Sequence, residues 1–558
     1  MKIKYLAVLA LPFLLAGCSL ESSSGNSGEN ISGGTTSVDI PEDDISGDFS
    51  LVNDSTSESI SGSSNVYSIT AAGEYTATGK LSEGQIYINV GDEDEVILNI
   101  DGVSIANSTT APIFVNNCAD FDLKAKKDSN NYVYDVRTTD YSGSTDDSVA
   151  RSAIYAVNGD IKVKGSGTLT VISYANSGIH SHDNVTVQNV TMLIKAVNNG
   201  IRGNDKVTIK EGPTIGIVAG NNGIVTHNSD ISSSGNQRGY VYINGGSITI
   251  NSYGDGIDAA YNIEIGTSTD DEGNTYTPVV DVYTNIYSSY TVSSVTSTSS
   301  SLRGPGGGGT PGGDNGGFDD GGMTGGTSSE KADDSAKAFK AANEINITAG
   351  ELFSYTYDDG YHTDTDVLES GSYGSGNINI SGGTLKIKAS DDGVHAGGTL
   401  TVSGGTIYVS ESYEGLEGNK IVISGGESVV YANDDGVNAS SSINISGGFL
   451  EVNVPNSGDV DGIDSNGTYT QTGGIVIAKG PSSDMSAPMD CDGTIKVSGG
   501  TLIILGYSVS VSSSVNKVTG LSLHSSGSHT VTIDGTSYSI SNNYSYSATT
   551  CYSNVSVK

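Results

Sequence analysis

The chain of 558 residues has no tryptophan, only 10 prolines and few cations. Lys and Arg number 26 against 64 Asp and Glu, a formal net charge of −38. A nucleic-acid binder needs Lys and Arg to displace counterions from phosphate, so that class is excluded. Docking on an anionic membrane through a basic patch is excluded for the same reason. Cysteines number four. Cys118, Cys491 and Cys551 lie far apart and cannot all pair within one chain, so no disulfide framework is expected. No Cys-x-x-Cys pair points to zinc. Glycine is abundant, at 76 residues, but lacks the every-third-residue period of collagen. An apolar content of 35% suits a thin, repetitive β architecture.

The N-terminus reads as an address. Lys2 and Lys4 precede an apolar run from Tyr5 to Leu15, too short to span a bilayer comfortably. Leu15-Ala16-Gly17-Cys18 resembles a bacterial lipoprotein signal. That resemblance implies cleavage before Cys18 and acyl chains on it, which anchor the protein at a membrane. Residues 1–18 are therefore read as signal. Residues 19–62, rich in Ser, Gly, Asn and acids, are read as a solvated tether spanning roughly 35 Å.

The remainder repeats. Ser-Gly-Gly begins at Ser381, Ser403, Ser424 and Ser446, with variants at Thr472 and Ser498. Alternating runs such as Ile378-Asn379-Ile380 and Leu385-Lys386-Ile387 flank it, the period of strands with one buried face. Between them recurs an acid, Gly, an apolar residue and a polar one. The copies are Asp255-Gly256-Ile257-Asp258, Asp359-Gly360-Tyr361-His362, Asp392-Gly393-Val394-His395, Glu414-Gly415-Leu416-Glu417, Asp435-Gly436-Val437-Asn438 and Asp461-Gly462-Ile463-Asp464. An earlier, amidic set comprises Asn176-Ser177-Gly178-Ile179, Asn198-Asn199-Gly200-Ile201 and Asn221-Asn222-Gly223-Ile224. The fold expected is all-β, a right-handed parallel β-helix over residues 63–506 built of coils of about 22 residues. Glycine at the corners supplies positive φ. Residues 266–335 are read as a Gly-rich inserted loop, and 507–558 as a small β cap. The one helix-like stretch is the short segment Ser335 to Ala342.

Equivalent positions of successive turns stack at the strand spacing of about 4.8 Å. Asp392, Glu414, Asp435 and Asp461 are thereby expected to form a column, with Asp258, Glu417 and Asp464 on the other side of the same corners. Two carboxylates that close repel by roughly 3 kcal/mol at an effective dielectric of 20. A cation relieves this, and carboxylate with turn carbonyl oxygens suits Ca²⁺. The Asp255, Asp392, Asp435 and Asp461 corners are the candidate Ca²⁺ positions, with Asp258, Glu414, Glu417 and Asp464 beside them. Asn198 and Asn221 are expected to stack as an amide ladder. His180 and His182 share one strand face. Tyr, with 30 copies, is a strand former and also a platform for sugar rings.

These residues resemble bacterial secreted carbohydrate-binding domains with a calcium-containing right-handed parallel β-helix, related in fold to polysaccharide lyases. The resemblance runs from about Tyr67 to Gly506 and rests on Leu81 to Gln85, Asp101 to Ile105, Ala111 to Ile113, Gly165 to Leu169 and Gly200 to Asp205. It continues through Glu411 to Glu417, the Ser-Gly-Gly series, Gly480-Pro481 and Asp490-Cys491-Asp492-Gly493. It implies binding of plant-type polysaccharide, cellulose-like or acidic and pectin-like (polygalacturonate), without catalysis, and adds Asp490 and Asp492 to the Ca²⁺ candidates. Asn176-Ser177, Asn198-Asn199 and Asn221-Asn222 stand where relatives carry acids, so the early corners depart from the pattern.

The expectation is a monomeric, lipid-anchored, cell-surface polysaccharide binder without enzymatic activity, whose sugar-contacting residues the sequence does not assign. A Ca²⁺-dependent lyase is the enzymatic alternative; it needs a base beside the acidified proton, and Arg202 and Arg238 are the arginines nearest the acidic corners. An adhesin or spacer is the structural alternative.

Overall fold

Alternating apolar residues in this chain build strands and nothing else. The structure is a computed structural model describing residues 43–285 and 335–558, apart from 142, 145–148, 150 and 483–485. The lipoprotein signal with Cys18, the tether up to residue 42 and the insertion from 286 to 334 lie outside the described residues. All described residues belong to the unit Val38–Lys558. Among them there is no helix, and the helix-like stretch from Ser335 contributes the strand Phe339–Ala341. Its alternation Phe-Lys-Ala, with the two apolar side chains buried, decides for a strand.

A large sheet of 42 strands dominates, mostly parallel. The expectation of a right-handed parallel β-helix of uniform coils is corrected here. Eight parallel strands close on themselves as a barrel, and many others lie outside it. The closure depends on two long strands, Glu95–Asn107 and Lys206–Ala219, each pairing in two separate series. One series runs through Asp120–Ala125, Asp160–Gly165 and Asn184–Gln188. The other runs through Asn130–Asp135, Thr168–Ser173 and Thr191–Ala196. Nor is the step between paired segments constant: Asn198 bonds Asn176 across 22 residues, while Lys337 bonds Asp255 across 82. The repeat counts residues between turns; it does not report which strands join, nor where one strand is long enough to serve two series.

Both ends of the sheet are antiparallel. Ser50–Asn53, within the segment read as tether, pairs with Gly73–Leu81 and buries Leu51. Thr501–Leu505 pairs with Thr549–Ser553, and a hairpin joins Gly527–Ile533 to Thr536–Asn542. Ile477, Ile503, Leu523, Val531, Ile540 and Tyr546 pack together beneath this C-terminal region.

Glycine divides its work. The second glycine of each Ser-Gly-Gly holds positive φ, as at Gly405 (79°) and Gly426 (78°). The glycine of the acidic corners is there for space: a Cβ on Gly415 would lie 2.2 Å from Val430 Cγ1 and 2.3 Å from the Gly436 carbonyl. The corner glycines thus differ from the expectation of positive φ, because close stacking of neighbouring backbones sets the constraint.

Candidate functional site: a row of acidic corners beside a cleft

Short strands align the corners. Ile257–Ala259, Phe339–Ala341, Tyr361–Thr363 and the starts of Val394–Val402, Leu416–Ile423 and Val437–Ile445 pair in register, ending on Ile463–Ser465. Their first residues are apolar and buried, which fixes the register. Their second residues therefore follow one another as Asp258, Lys340, His362, His395, Glu417, Asn438 and Asp464. Glu417 and Asp464 are brought near one another with Asn438 between them. Asp258 is not: three cationic or imidazole side chains separate it from Glu417.

The corner acids precede these strands, and one oxygen of most is already committed. Asp255 Oδ1 accepts the Lys337 backbone N–H at 2.8 Å, and Asp359 Oδ1 accepts that of Asp392 at 3.0 Å. Asp392 Oδ1 accepts from Glu414 N at 3.3 Å, Asp435 Oδ1 from Asp461 N at 2.7 Å, and Asp461 Oδ1 from Ala487 N at 2.5 Å. Asn222 Oδ1 does the same for Asp255 N at 2.9 Å. The corner residue is thus an acceptor for the next corner's amide, a role that Asn or Asp fills equally. This accounts for Asn at the early corners, such as Asn199 and Asn222, and Asp at most of the later ones. The amide ladder is present as well, Asn198 Nδ2 donating to Asn176 Oδ1 and Asn221 Nδ2 to Asn198 Oδ1.

The remaining oxygens meet cations in one half of the row. His362 Nδ1 lies 2.6 Å from Asp359 Oδ2, and its Nε2 lies 3.0 Å from Asp364. His395 Nδ1 lies 3.0 Å from Asp392 and 2.6 Å from Glu417. Lys337 reaches Asp358 at 2.6 Å, and Lys340 reaches Asp255 at 3.7 Å. The two imidazole rings are 4.8 Å apart. Burial opposes the imidazolium of both, but the flanking carboxylates outweigh it and raise both histidines above their usual range, His395 to about 11. Burial likewise opposes charge on Asp359 and Glu417, and their bonds to histidine bring both below the usual carboxylate range.

The other half is uncompensated. Among the described residues, Asp435, Asp461, Asp464 and Asp490 have no Lys, Arg or His within ion-pair distance. Burial first, then neighbouring carboxylates, push Glu414 up to about 9, Asp435 to about 7, and Asp461 and Asp464 to about 6. Burial also raises Asp392. Asp490 and Asp492 both contribute to the repulsion on Asp464.

Donor chemistry tests a cation. Three groups have ligand atoms within 4.8 Å of one another: Asp359, His362 and His395; Asp392, His395 and Glu417; and Asp358, Asp359 and Asp391. The first two include imidazole nitrogen, which suits Ca²⁺ poorly, and in the third, all oxygen, Lys337 already pairs with Asp358 and lies 3.6 Å from Asp359. The run Asp435, Asp461, Asp464 and Asp490 offers oxygen alone and is without a cation among the described residues, but no three of these carboxylates have ligand atoms within 4.8 Å of one another. His362, His395, Lys337 and Lys340 escape the sequence reading. Their signal was present in the Asp-Gly-x-His form of two corners. The two lysines follow the insertion, where the corner motif is lost.

A cleft of about 620 Å³ opens beside the row, lined by Asp258, Lys337, Lys340, His362, Asp364 and Asp366. Arg202 Nε donates to Asn204 at 2.9 Å, and Arg238 pairs with Asp205 at 2.7 Å. His180 and His182 do share a face, with rings 5.1 Å apart, and His182 bonds the Tyr155 hydroxyl at 3.0 Å.

Residues 63–374, 322–415 and 416–558 match the family model described as carbohydrate-binding domain-containing protein. A carbohydrate-binding domain-containing protein of Acetivibrio thermocellus is 32% identical over 149 residues, 27% of this chain and 51% of the relative. The chain thus spans about half the length of that curated relative. A solved structure, the polysaccharide lyase-like protein from C. thermocellum as a gadolinium derivative, is 31% identical. It covers 40% of this chain and 84% of its own, with a TM-score of 0.35. With nearly all of the chain beyond residue 62 matched, the protein belongs to the family of carbohydrate-binding domain-containing proteins.

Proposed function

We propose that this chain is a non-catalytic polysaccharide-binding protein, held at the bacterial cell surface by acylated Cys18, whose uncompensated carboxylates take Ca²⁺. The observation that carries the reading is the run Asp435, Asp461, Asp464 and Asp490, successive acids that in this member of a carbohydrate-binding family have no counter-cation among the described residues. When bound, Ca²⁺ supplies positive charge that bridges protein carboxylates and an acidic polymer. Asp435 and Asp461 would hold it through the oxygen not used by the next corner's amide. Asp464 and Asp490 are the neighbouring carboxylates it would draw in, since no three of the four already have ligand atoms within 4.8 Å of one another.

The absence of catalysis is supported by His362, whose two ring nitrogens are both engaged by carboxylates, Nδ1 by Asp359 and Nε2 by Asp364, leaving neither open to a substrate proton. The test is incubation of the protein with polygalacturonate and Ca²⁺, followed by sedimentation and by absorbance of unsaturated uronide. Co-sedimentation without new absorbance supports a binder. Appearance of unsaturated product makes the protein a lyase, and neither signal favours a spacer or adhesin.

A further inference from the structure

Imidazole stands among carboxylates at two successive corners, and its nitrogens set those corners apart from the oxygen-only run. Register holds Tyr361–Thr363 beside the start of Val394–Val402, so His362 and His395 are lateral neighbours with rings 4.8 Å apart. Each follows its corner acid by three residues and turns Nδ1 towards it, 2.6 Å from Asp359 Oδ2 and 3.0 Å from Asp392 Oδ2. A carboxylate oxygen of Asp359 and one nitrogen from each ring lie within 4.8 Å of one another. His395 closes a second such trio with Asp392 and Glu417.

The surroundings support these donors from behind. A histidine that ligates a metal through one nitrogen donates its other N–H to a carboxylate, which fixes both the tautomer and the ring. His362 Nε2 lies 3.0 Å from Asp364 Oδ2, so Nδ1 is the nitrogen turned to the cluster. Asp359 is fixed in turn: its Oδ1 accepts the Asp392 backbone N–H at 3.0 Å while Oδ2 faces the imidazole. Lys337 Nζ lies 3.6 Å from that same Oδ2, and Lys340 stands beside His362 in the row. Against these two lysines stand Asp359, Asp364, Asp392 and Glu417, with Asp358, Asp391 and Glu414 adjoining. Acids therefore outnumber the fixed cations whether or not the imidazoles carry protons. The cleft of about 620 Å³ that His362 lines opens the cluster to ions from solvent.

We propose that His362, His395 and Asp359 bind one divalent transition-metal ion of the Zn²⁺ class, with Asp364 as the positioning residue for His362. Two imidazole nitrogens with a carboxylate oxygen suit Zn²⁺, and three protein ligands leave a fourth position for water or for a neighbouring carboxylate. The site differs from the proposed Ca²⁺ run in place and in donor type, and it does not depend on the carbohydrate-binding function. Donor atoms on a tetrahedral Zn²⁺, with bonds of about 2.0 Å, lie about 3.3 Å apart. The 2.6 Å contact of His362 with Asp359 is closer, the spacing of a hydrogen bond, so the ion takes the place of a proton. The exchange balances: one Zn²⁺ enters, one proton leaves each imidazolium for solvent, and the net charge of the cluster is unchanged. The bound ion ties two neighbouring strands through side chains alone.

The test is calorimetric titration of the intact, chelator-stripped protein with Zn²⁺, with Ca²⁺ in excess to occupy sites made of oxygen alone. One ion per chain should bind and release two protons, read from the dependence of the heat on the buffer's ionisation enthalpy. Affinity should rise with pH, by up to about a hundredfold per unit while both rings begin protonated. His362→Ala and His395→Ala should each weaken binding by about tenfold or more, and Asp364→Asn by about tenfold. Co²⁺ bound in place of Zn²⁺ should show the visible absorption of a site with nitrogen ligands, and both histidine variants should lose it. Melting in chelator identifies variants that fold, and His362→Gln or His395→Gln stands in for an alanine variant that does not. His182→Ala, at the other imidazole pair, should change nothing, nor should Asp461→Asn with Asp464→Asn in the Ca²⁺ run. Zn²⁺ binding undiminished when His362 and His395 are both replaced, or abolished by His182→Ala, overturns the site. No binding in mildly alkaline buffer, or displacement of Zn²⁺ by Ca²⁺, overturns the class of ion. Polysaccharide binding is read separately, so its failure leaves this result standing.

Discussion

Asp435 Oδ1 accepts the backbone N–H of Asp461 at 2.7 Å, joining one acidic corner to the next. An amide oxygen accepts that bond as well as a carboxylate oxygen does, as Asn222 shows at Asp255. Structural and cation-holding roles can therefore be separated. Asp435→Asn should leave the melting temperature in chelator unchanged or raised, because a repelled carboxylate is removed. Asp435→Ala orphans the amide and should cost about 1–3 kcal/mol. Stabilisation by added Ca²⁺ should fall in both variants. Equal losses for both in chelator would place the carboxylate charge, and not the acceptor, at the centre of the corner.

Acidity gives a second prediction. Glu414, Asp435, Asp461 and Asp464 titrate, in the folded chain, above the ordinary carboxylate value of about 4, up to about 9 for Glu414. Between those values the folded state holds more protons than the unfolded state, so stability falls as pH rises. His395, raised by its two carboxylates, acts in the same direction above its ordinary value. Asp359 and Glu417 act oppositely, their contribution being lost as pH falls below the carboxylate range. In chelator the melting temperature should therefore decline from about pH 5 to about pH 8, and Ca²⁺ should flatten that decline. A melting temperature that rises over this range without Ca²⁺ would contradict the electrostatic account.

At the other end of the chain, Lys479 is fully buried. Its Nζ lies 2.6 Å from Glu451 Oε1, 2.7 Å from Asn453 Oδ1 and 2.7 Å from the Ser541 carbonyl. Ser541 belongs to the C-terminal hairpin, so one ammonium ties that hairpin to the parallel sheet. Lys479→Ala leaves Glu451 buried and unpaired and should cost about 3–5 kcal/mol. Limited proteolysis should then release fragments from about residue 507 onward. The double variant Lys479→Met, Glu451→Gln should recover much of the loss. A single variant as stable as the wild type would show that the hairpin is held by its apolar contacts alone.

Tyr361 stacks on Phe339 with centroids 4.6 Å apart and planes 1° apart, yet among the described residues its buried hydroxyl has no hydrogen-bond partner. An unsatisfied buried hydroxyl costs about 1–3 kcal/mol. Tyr361→Phe keeps the stack and should hold or raise stability in denaturant melts, whereas Tyr361→Ala should cost about 3–5 kcal/mol. Destabilisation by the Phe variant would reveal a partner for the hydroxyl.

Much of this was legible in the sequence, and the rest was lost for definite reasons. Alternation at Ile378-Asn379-Ile380 and its copies correctly gives strands, and the Asn176, Asn198 and Asn221 series correctly gives an amide ladder. The stacking of Asp392 with Glu414, and of Asp435 with Asp461, follows from the repeat too. The uniform coil did not survive, because strands of 13 and 14 residues serve two series and close a barrel. Lys337 and Lys340 come next to Asp255 only through a step of some 80 residues, which no local pattern encodes.

The most direct measurement is retention of the protein on immobilised polygalacturonate as free Ca²⁺ is titrated from chelated to saturating, with Asp461→Asn, Asp464→Asn as the comparison. The account predicts retention by the wild type that rises with Ca²⁺ and is lost on chelation, with the doubly substituted protein retained weakly at every concentration. Retention of both proteins independent of Ca²⁺, or of neither at saturating Ca²⁺, would contradict it.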